Sequence, residues 1–144
     1  MAGEELADAP RGGGSNASGG ADPDARPPRV VVVGAGFAGA LAARELDAAA
    51  KQGLVELVVV ERRDHFHHKI GAIRAQVLDT PETRALTIPL TAFLPHATLV
   101  KGIVTSVDER GKTVQVALVE GGGTKTGAFD VLVIATGGSA QGPG

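Results

Sequence analysis

Six consecutive residues, Gly34-Ala35-Gly36-Phe37-Ala38-Gly39, and one acid further along, Glu61, have the types and spacing to hold a nucleotide diphosphate. The hexamer has the form G-x-G-x-x-G. In a chain of 144 residues with 21 glycines that form alone is a weak signal. Its setting strengthens it, because it follows a β-branched run at 30–33, opens a helical pattern and is followed by a second apolar run. Gly34 permits a tight turn out of the strand. Gly36 has no Cβ, so a pyrophosphate can approach the backbone, and Gly39 lets the helix pack closely on the strand. The helix N-terminus adds free N–H groups and the positive end of its dipole. Glu61 follows Gly39 by 22 residues, at the end of the second apolar run. A carboxylate there can accept hydrogen bonds from both ribose hydroxyls of an adenosine, and it repels a 2′-phosphate.

Other candidates are weaker. His65, His67 and His68 form a dense loop, but no cysteine and few carboxylates complete a metal-ligand set, so polar packing beside a ligand is expected. Residues 129–138 form an apolar run, Val131-Leu132-Val133-Ile134, that ends in Ala135-Thr136-Gly137-Gly138. Alone it is any buried strand with a glycine turn. No residue reads as a nucleophile or proton donor, so no catalytic residue and no metal site is assigned. Cysteine is absent, which removes a disulfide framework, a thiolate metal site and a redox dithiol. Any redox chemistry must then be carried by a bound cofactor. The net charge of −2 and the lack of Trp and Tyr argue against nucleic acid as a partner.

The elements that must position these groups follow from the hydrophobic pattern. Residues 1–28 are rich in Gly, Ser, Ala and Pro and read as a disordered tail. The run at 30–33 is apolar on both faces, as in a central parallel strand. A helix is expected from Phe37 to about Ala50, with Arg44, Asp47 and Lys51 on one face and Gly53 ending it in the left-handed conformation. A second buried strand spans 55–60. The polar loop 62–69 leads to a short helix over about 70–78, and Pro89 and Pro95 make the middle irregular. Three strands follow: 98–108, either whole or in two pieces around Gly102, then 113–120 and 129–135. Gly121-Gly122-Gly123 turns the chain between the last two. The fold class is α/β: a Rossmann-like βαβ unit with a parallel sheet and a small antiparallel hairpin. Residues 29–138 form the domain, and 139–144 a short flexible end. No apolar run is long enough to span a bilayer, and the acidic start is unlike a signal peptide, so a cytoplasmic protein is expected.

The hexamer and the strand ending in Ala135-Thr136-Gly137 together resemble the two-dinucleotide-binding-domain flavoproteins, the pyridine nucleotide–disulfide oxidoreductase superfamily. A more particular match is Asp64-His65-Phe66-His67-His68-Lys69-Ile70-Gly71-Ala72-Ile73-Arg74-Ala75. It is similar to the Phe-His-His and Ala-Ile-Arg-Ala segment of the ferroptosis-suppressor branch, apoptosis-inducing-factor homologues that act as NAD(P)H:quinone oxidoreductases. The resemblance runs from about Arg29 to Gly138 and implies FAD as cofactor, NAD(P)H as reductant and a quinone-like acceptor. It implies that Gly34, Ala35, Gly36, Phe37 and Ala38 contact the FAD diphosphate, with Gly39 completing the motif. It also implies that Arg74 contacts FAD directly, that Val104 offers its backbone to the adenine, and that Thr136-Gly137 closes the first half of the FAD domain. From the residues alone, Arg74 also has a blander reading as a solvated helix arginine.

The second glycine motif and the late Gly-Asp segment of that family are not found in these 144 residues, so the fold is expected to be incomplete relative to the two-domain family. Negligible NAD(P)H:quinone turnover is expected of this chain alone. Met1-Ala2-Gly3 departs from the Met-Gly start of lipid-modified members, although peripheral membrane association stays open. Two other readings remain: a non-catalytic, truncated nucleotide-binding remnant, and an NAD-binding dehydrogenase domain, which Glu61 fits equally well.

Overall fold

The computed structural model describes residues 4–5, 26–67 and 87–138. Arg74, His68, the short helix expected over 70–78 and the end 139–144 lie outside the described residues. In chain order the elements are β1 (Glu4–Glu5), β2 (Arg29–Val33), α1 (Phe37–Lys51), β3 (Glu56–Glu61), β4 (His65–His67), β5 (Thr87–Pro89), α2 (Leu90–Phe93), β6 (Thr98–Asp108), β7 (Thr113–Leu118), β8 (Thr124–Ala128) and β9 (Val131–Ile134).

The main sheet has the order β1-β8-β7-β6-β3-β2-β9, and β4 and β5 pair separately. β6, β3, β2 and β9 run parallel, with Val31 between Val58 and Leu132 in the ladders. The valine run of β2 is buried throughout, for two reasons that alternate along the strand. Val30 and Val32 face a cluster with Ala40 and Ala43 of α1, Leu57, Val59 and Phe66. Val31 and Val33 face a cluster with Val58, Val60, Val100, Val114, Val116 and Phe129. Each such valine contributes roughly 1.5–3 kcal/mol by leaving water.

The second cluster exists because the sheet curls. β6 is one continuous strand, neither broken nor shortened at Gly102, and it changes partner there. Through Lys101 it pairs parallel with β3, and from Gly102 it pairs antiparallel with β7. The register shifts between Val104 and Ser106, a bulge that bends the strand. A Cβ on Gly102 would overlap the Val116 side chain, so the glycine allows the close approach of β7.

β7 continues to β8, so the expected hairpin is a three-stranded meander. β8 escapes a sequence reading because Thr-Lys-Thr-Gly-Ala has no apolar run to mark it. Two short pieces of the expected tail are placed as well. Glu4–Glu5 pairs parallel with β8, opposite Lys125 and Thr126. Arg26 bridges to Asp130 at 2.9 Å.

α1 ends as expected, with Gly53 at φ 71° and Leu54 N–H donating to the Ala49 carbonyl at 3.0 Å. Its polar face does not point to solvent throughout. Asp47 is only 4% exposed, and its carboxylate accepts from the His96 backbone N–H at 3.0 Å and lies 2.9 Å from His96 Nδ1. Arg44 donates to the Phe93 carbonyl at 2.7 Å. Leu41, by contrast, is half exposed. These polar groups clasp the connection between β3 and β6, which is why helical periodicity alone misplaces them.

Candidate dinucleotide cradle

β2 and β9 are adjacent parallel strands although α1, β3 and the meander separate them in sequence. Their carboxyl ends therefore flank the point where the strand order reverses, the usual crevice for ligands in open α/β sheets. Gly34 leaves β2 there at φ 92°, its N–H still bonded to the Val60 carbonyl at 2.8 Å. Ala135 leaves β9 beside it, donating to the Val33 carbonyl at 2.8 Å.

The three motif glycines have different physical warrants. A Cβ at Gly34 would lie 2.7 Å from the Ala135 carbonyl oxygen, in a backbone conformation that side chains disfavour. A Cβ at Gly39 would overlap the Gly34 carbonyl and come within 3.1 Å of the Ala135 side chain. These two glycines serve the chain's own packing. At Gly36 the backbone has φ −68° and ψ −167°, open to any residue, and a Cβ would meet nothing within 4 Å. The chain itself gives no reason for that glycine; an outside group at close range would.

Gly36 is also the N-cap of α1, and no side chain caps the helix. No acid lies in the first turn. Ala40 N–H is bonded to the Gly36 carbonyl, so Ala40 is the first residue of α1 whose N–H takes the regular helical acceptor four residues back. Phe37 and Ala38 are exposed, whereas Ala35 and Gly39 are buried. The result is a helix N-terminus with no side-chain cap, opening beside an exposed glycine, the kind of place that suits an anion.

Glu61 closes one side. Its Oε2 accepts from Ala35 N–H at 2.6 Å, and its Oε1 accepts from Arg62 N–H at 3.0 Å and Arg63 N–H at 3.3 Å. The carboxylate is half-buried and so ties the end of β3 to the glycine turn. A carboxylate has about four lone-pair sites, so acceptor capacity remains for a hydroxyl. Beside it lies a cleft of about 130 Å³ with Val59, Leu90 and Leu99 among its walls and Asp64 and Lys101 at its rim. Lys101 pairs with Glu61 across the ladder, and its ammonium reaches Glu120 at 2.5 Å and Asp64 at 3.6 Å. The hydrogen bond to Glu120, with the charges of Glu120 and Asp64, holds the Lys101 ammonium above its ordinary range. A hydrogen bond from His65, a backbone N–H and the Lys101 charge hold the Asp64 carboxyl below its own.

The structure thus brings together Gly34, Ala35, Gly36, Phe37, Ala38, Gly39 and Glu61. Thr136 and Gly137 follow Ala135 at the same end, both exposed, with Gly137 at φ 66°. Val104 lies apart. It is in the antiparallel half of β6 opposite Val116, three residues and about 10 Å of strand beyond the partner of Glu61. Arg74 lies outside the described residues. Ala135, read from sequence as part of the strand end and not as a site residue, packs against Gly34 and Gly39. Histidines 65 and 67 bond to Asp64 and Thr87 rather than to each other. Among the described residues no group of three or more His, Cys, Asp or Glu could hold a metal. Among the same residues no helix is long and apolar enough to cross a membrane.

A parallel sheet with this reversal, glycine turn and terminal acid defines a Rossmann-like dinucleotide-binding unit. The family model for pyridine nucleotide-disulphide oxidoreductases matches residues 28–144, and the chain belongs to that family. It is 31% identical to apoptosis-inducing factor homolog B of Dictyostelium discoideum over 115 residues, which are 80% of this chain and 26% of that protein. It is 32% identical to ferroptosis suppressor protein 1 of Homo sapiens over 115 residues, 80% of this chain and 28% of that one. The chain thus spans about a quarter of the length of the curated relatives it matches. Among solved structures, it superposes on the water-forming NADH oxidase from Lactobacillus brevis with a TM-score of 0.64 at 21% identity, covering 81% of this chain and 26% of the oxidase. The sulfide:quinone oxidoreductase of Aquifex aeolicus gives a TM-score of 0.60 at 24% identity, with 78% and 25% covered.

Proposed function

We propose that this chain binds the ADP portion of FAD and is the FAD-binding part of an NAD(P)H-dependent flavin oxidoreductase of the quinone-reductase type. The observation that carries the reading is Gly36, a glycine with ordinary dihedrals and empty space where its Cβ would be, at the uncapped start of a 15-residue helix. The donor set fits the group. Backbone N–H groups at Gly36 to Ala38 would hold the diphosphate, and Glu61 would accept from the adenosine ribose. Val104 would offer its backbone near the adenine, Thr136 and Gly137 would border the cofactor beyond the phosphates, and Arg74 is proposed as a further contact. Bound FAD would supply the two-electron chemistry, taking hydride from NAD(P)H and passing electrons to a quinone-like acceptor. The protein's own part is orientation. Glu61 and Ala35 fix the turn, and the packing of Gly34 and Gly39 on Ala135 fixes the helix start. The setting proposed is cytoplasmic, with contact at a membrane surface as the place to meet an apolar quinone.

Titration calorimetry with FAD, NAD and NADP tests the ligand. FAD should bind most tightly and NADP least, because the Glu61 carboxylate would repel a 2′-phosphate. Tighter binding of NADP than of the other two would overturn the assignment. An NAD-binding reading survives on Glu61 alone, and NAD binding tighter than FAD would select it.

A further inference from the structure

Three of the four phenylalanines form a column alongside α1. Phe37, the first residue of α1, lies with its ring centroid 6.2 Å from that of Phe66 in β4, tilted by 44°. Phe66 stacks on Phe93 of α2 at 5.5 Å and 12°. Arg44 then covers Phe93, its guanidinium carbon 5.5 Å from the ring centroid. Both ends of the column belong to α1, because Phe37 and Arg44 are seven residues apart, two turns on one face. The two middle rings come from the connection between β3 and β6. The helix therefore grips that connection between its first residue and its third turn.

The column's ends differ in exposure. Phe66 is 6% exposed and belongs to the first core cluster, while Phe37 is 48% exposed beside the uncapped turn. Phe66 is the only side chain of β4 that is buried; His65 and His67, which flank it, are half-buried and turn to Asp64 and Thr87. Of Phe66 and His67 it is the phenylalanine ring that reaches the helix.

We propose that Phe66 is a positioning residue for the dinucleotide: through its ring contact with Phe37 it sets the first turn of α1, whose N–H groups make the phosphate cradle. The inference rests on the functional reading above. A small tilt of Phe37 moves the backbone of residues 36–38, because no side-chain cap holds that turn. Phe66 is in turn held by Phe93, which Arg44 covers. A ligand on the cradle is then felt along the column, and a ring lost from the column is felt at the cradle.

The chain has no Trp or Tyr and only four Phe, so 4-fluorophenylalanine labelling of the full 144-residue protein gives four fluorine resonances, assignable by single Phe→Leu variants. FAD added to the labelled wild type should shift the Phe37, Phe66 and Phe93 signals and leave Phe129, in the second core cluster, unmoved. Phe66→Leu should raise the Kd for FAD about 3- to 10-fold, the change that corresponds to one lost ring pair. Val114→Ala, a core truncation in β7, should lower the unfolding midpoint without changing that Kd. If FAD binds but moves only Phe37, or if a folded Phe66→Leu binds FAD as tightly as wild type, the proposal fails while the functional reading stands. Absence of any FAD binding by the wild type overturns both. Should Phe66→Leu not fold, the resonance shifts of the wild type decide alone.

Discussion

At the amino ends of β2 and β9 the backbone is tied down by side chains. The Asp130 carboxylate accepts from Arg29 N–H at 2.7 Å and from Arg26 Nη1 and Nη2 at 2.9 and 3.2 Å. Arg29, only 7% exposed, reaches Glu56 at 2.8 Å. At the carboxyl ends the same two strands run out into Gly34 and Ala135, and around them Gly36, Phe37, Ala38, Thr136 and Gly137 are exposed. At one end side chains bridge strand to strand; at the other Glu61 braces the turn, and the helix that opens there has no side-chain cap. The contrast sets the end held by its own side chains against the end where the dinucleotide is proposed to sit. It also separates two kinds of glycine within one motif.

The largest expected effect breaks the motif apart. Gly36→Val should abolish FAD binding, by at least about 100-fold, in a chain that still folds, because the side chain enters space that only a ligand would fill. Gly39→Val should instead prevent folding or leave a collapsed, unstable chain, since its Cβ overlaps the Gly34 carbonyl. Circular dichroism with flavin fluorescence distinguishes the two. A folded Gly39→Val protein, or unchanged FAD affinity in Gly36→Val, would show that the glycines are not divided in this way.

Next comes the acid that joins turn to strand. Glu61→Ala should weaken FAD binding by about 1–3 kcal/mol, the cost of losing a charged hydrogen-bond partner. It should also lower stability by about 1 kcal/mol, because the Ala35 N–H loses its acceptor. Isothermal titration and urea unfolding measure the two effects separately. A loss of stability with no loss of affinity would make Glu61 a brace for the turn and not a ribose partner.

What the sequence reading reached and what it missed follow the same contrast. The valine run of β2, the hexamer and the glycine end of α1 were legible because each is dictated locally, by periodicity or by backbone conformation. Glu61 was legible by spacing. The meander was legible only in part: β6 and β7 alternate apolar residues, but β8 is held by the ladder to β7 and not by its own side chains. The connection between β3 and β6 was the least legible. Its anchors are Arg44, Asp47 and Phe37 on α1, three residues whose types suggest a solvated or ligand-facing role. No local pattern says that a buried aspartate caps a loop 49 residues away. Val104 and Arg74 came from resemblance alone, so their places had no local signal to be read from.

The smallest effect belongs to the amino end and runs with pH. Burial pushes the Asp130 carboxyl up, but the Arg29 N–H, the Arg26 guanidinium and the Lys112 charge outweigh it and hold it below the ordinary 3.8. A group depressed in the folded state favours folding when it is ionised. Its contribution is therefore complete above the unfolded value, near 3.8, and is lost as pH falls from there through the folded value. The carboxylate is about a third exposed and Arg26 about half, so solvent screening keeps the gain small, about 0.5–1 kcal/mol. Asp130→Asn should thus lower stability by that amount at pH 6, and the gap from wild type should narrow as pH falls below 3.8. FAD affinity at pH 7 should not change, because the site lies at the other end of the sheet. Urea unfolding at several pH values, with flavin titration beside it, makes the comparison. A gap that widens in acid would reverse the sign assigned to Asp130, and a change in FAD affinity would show that the two ends of the sheet are coupled.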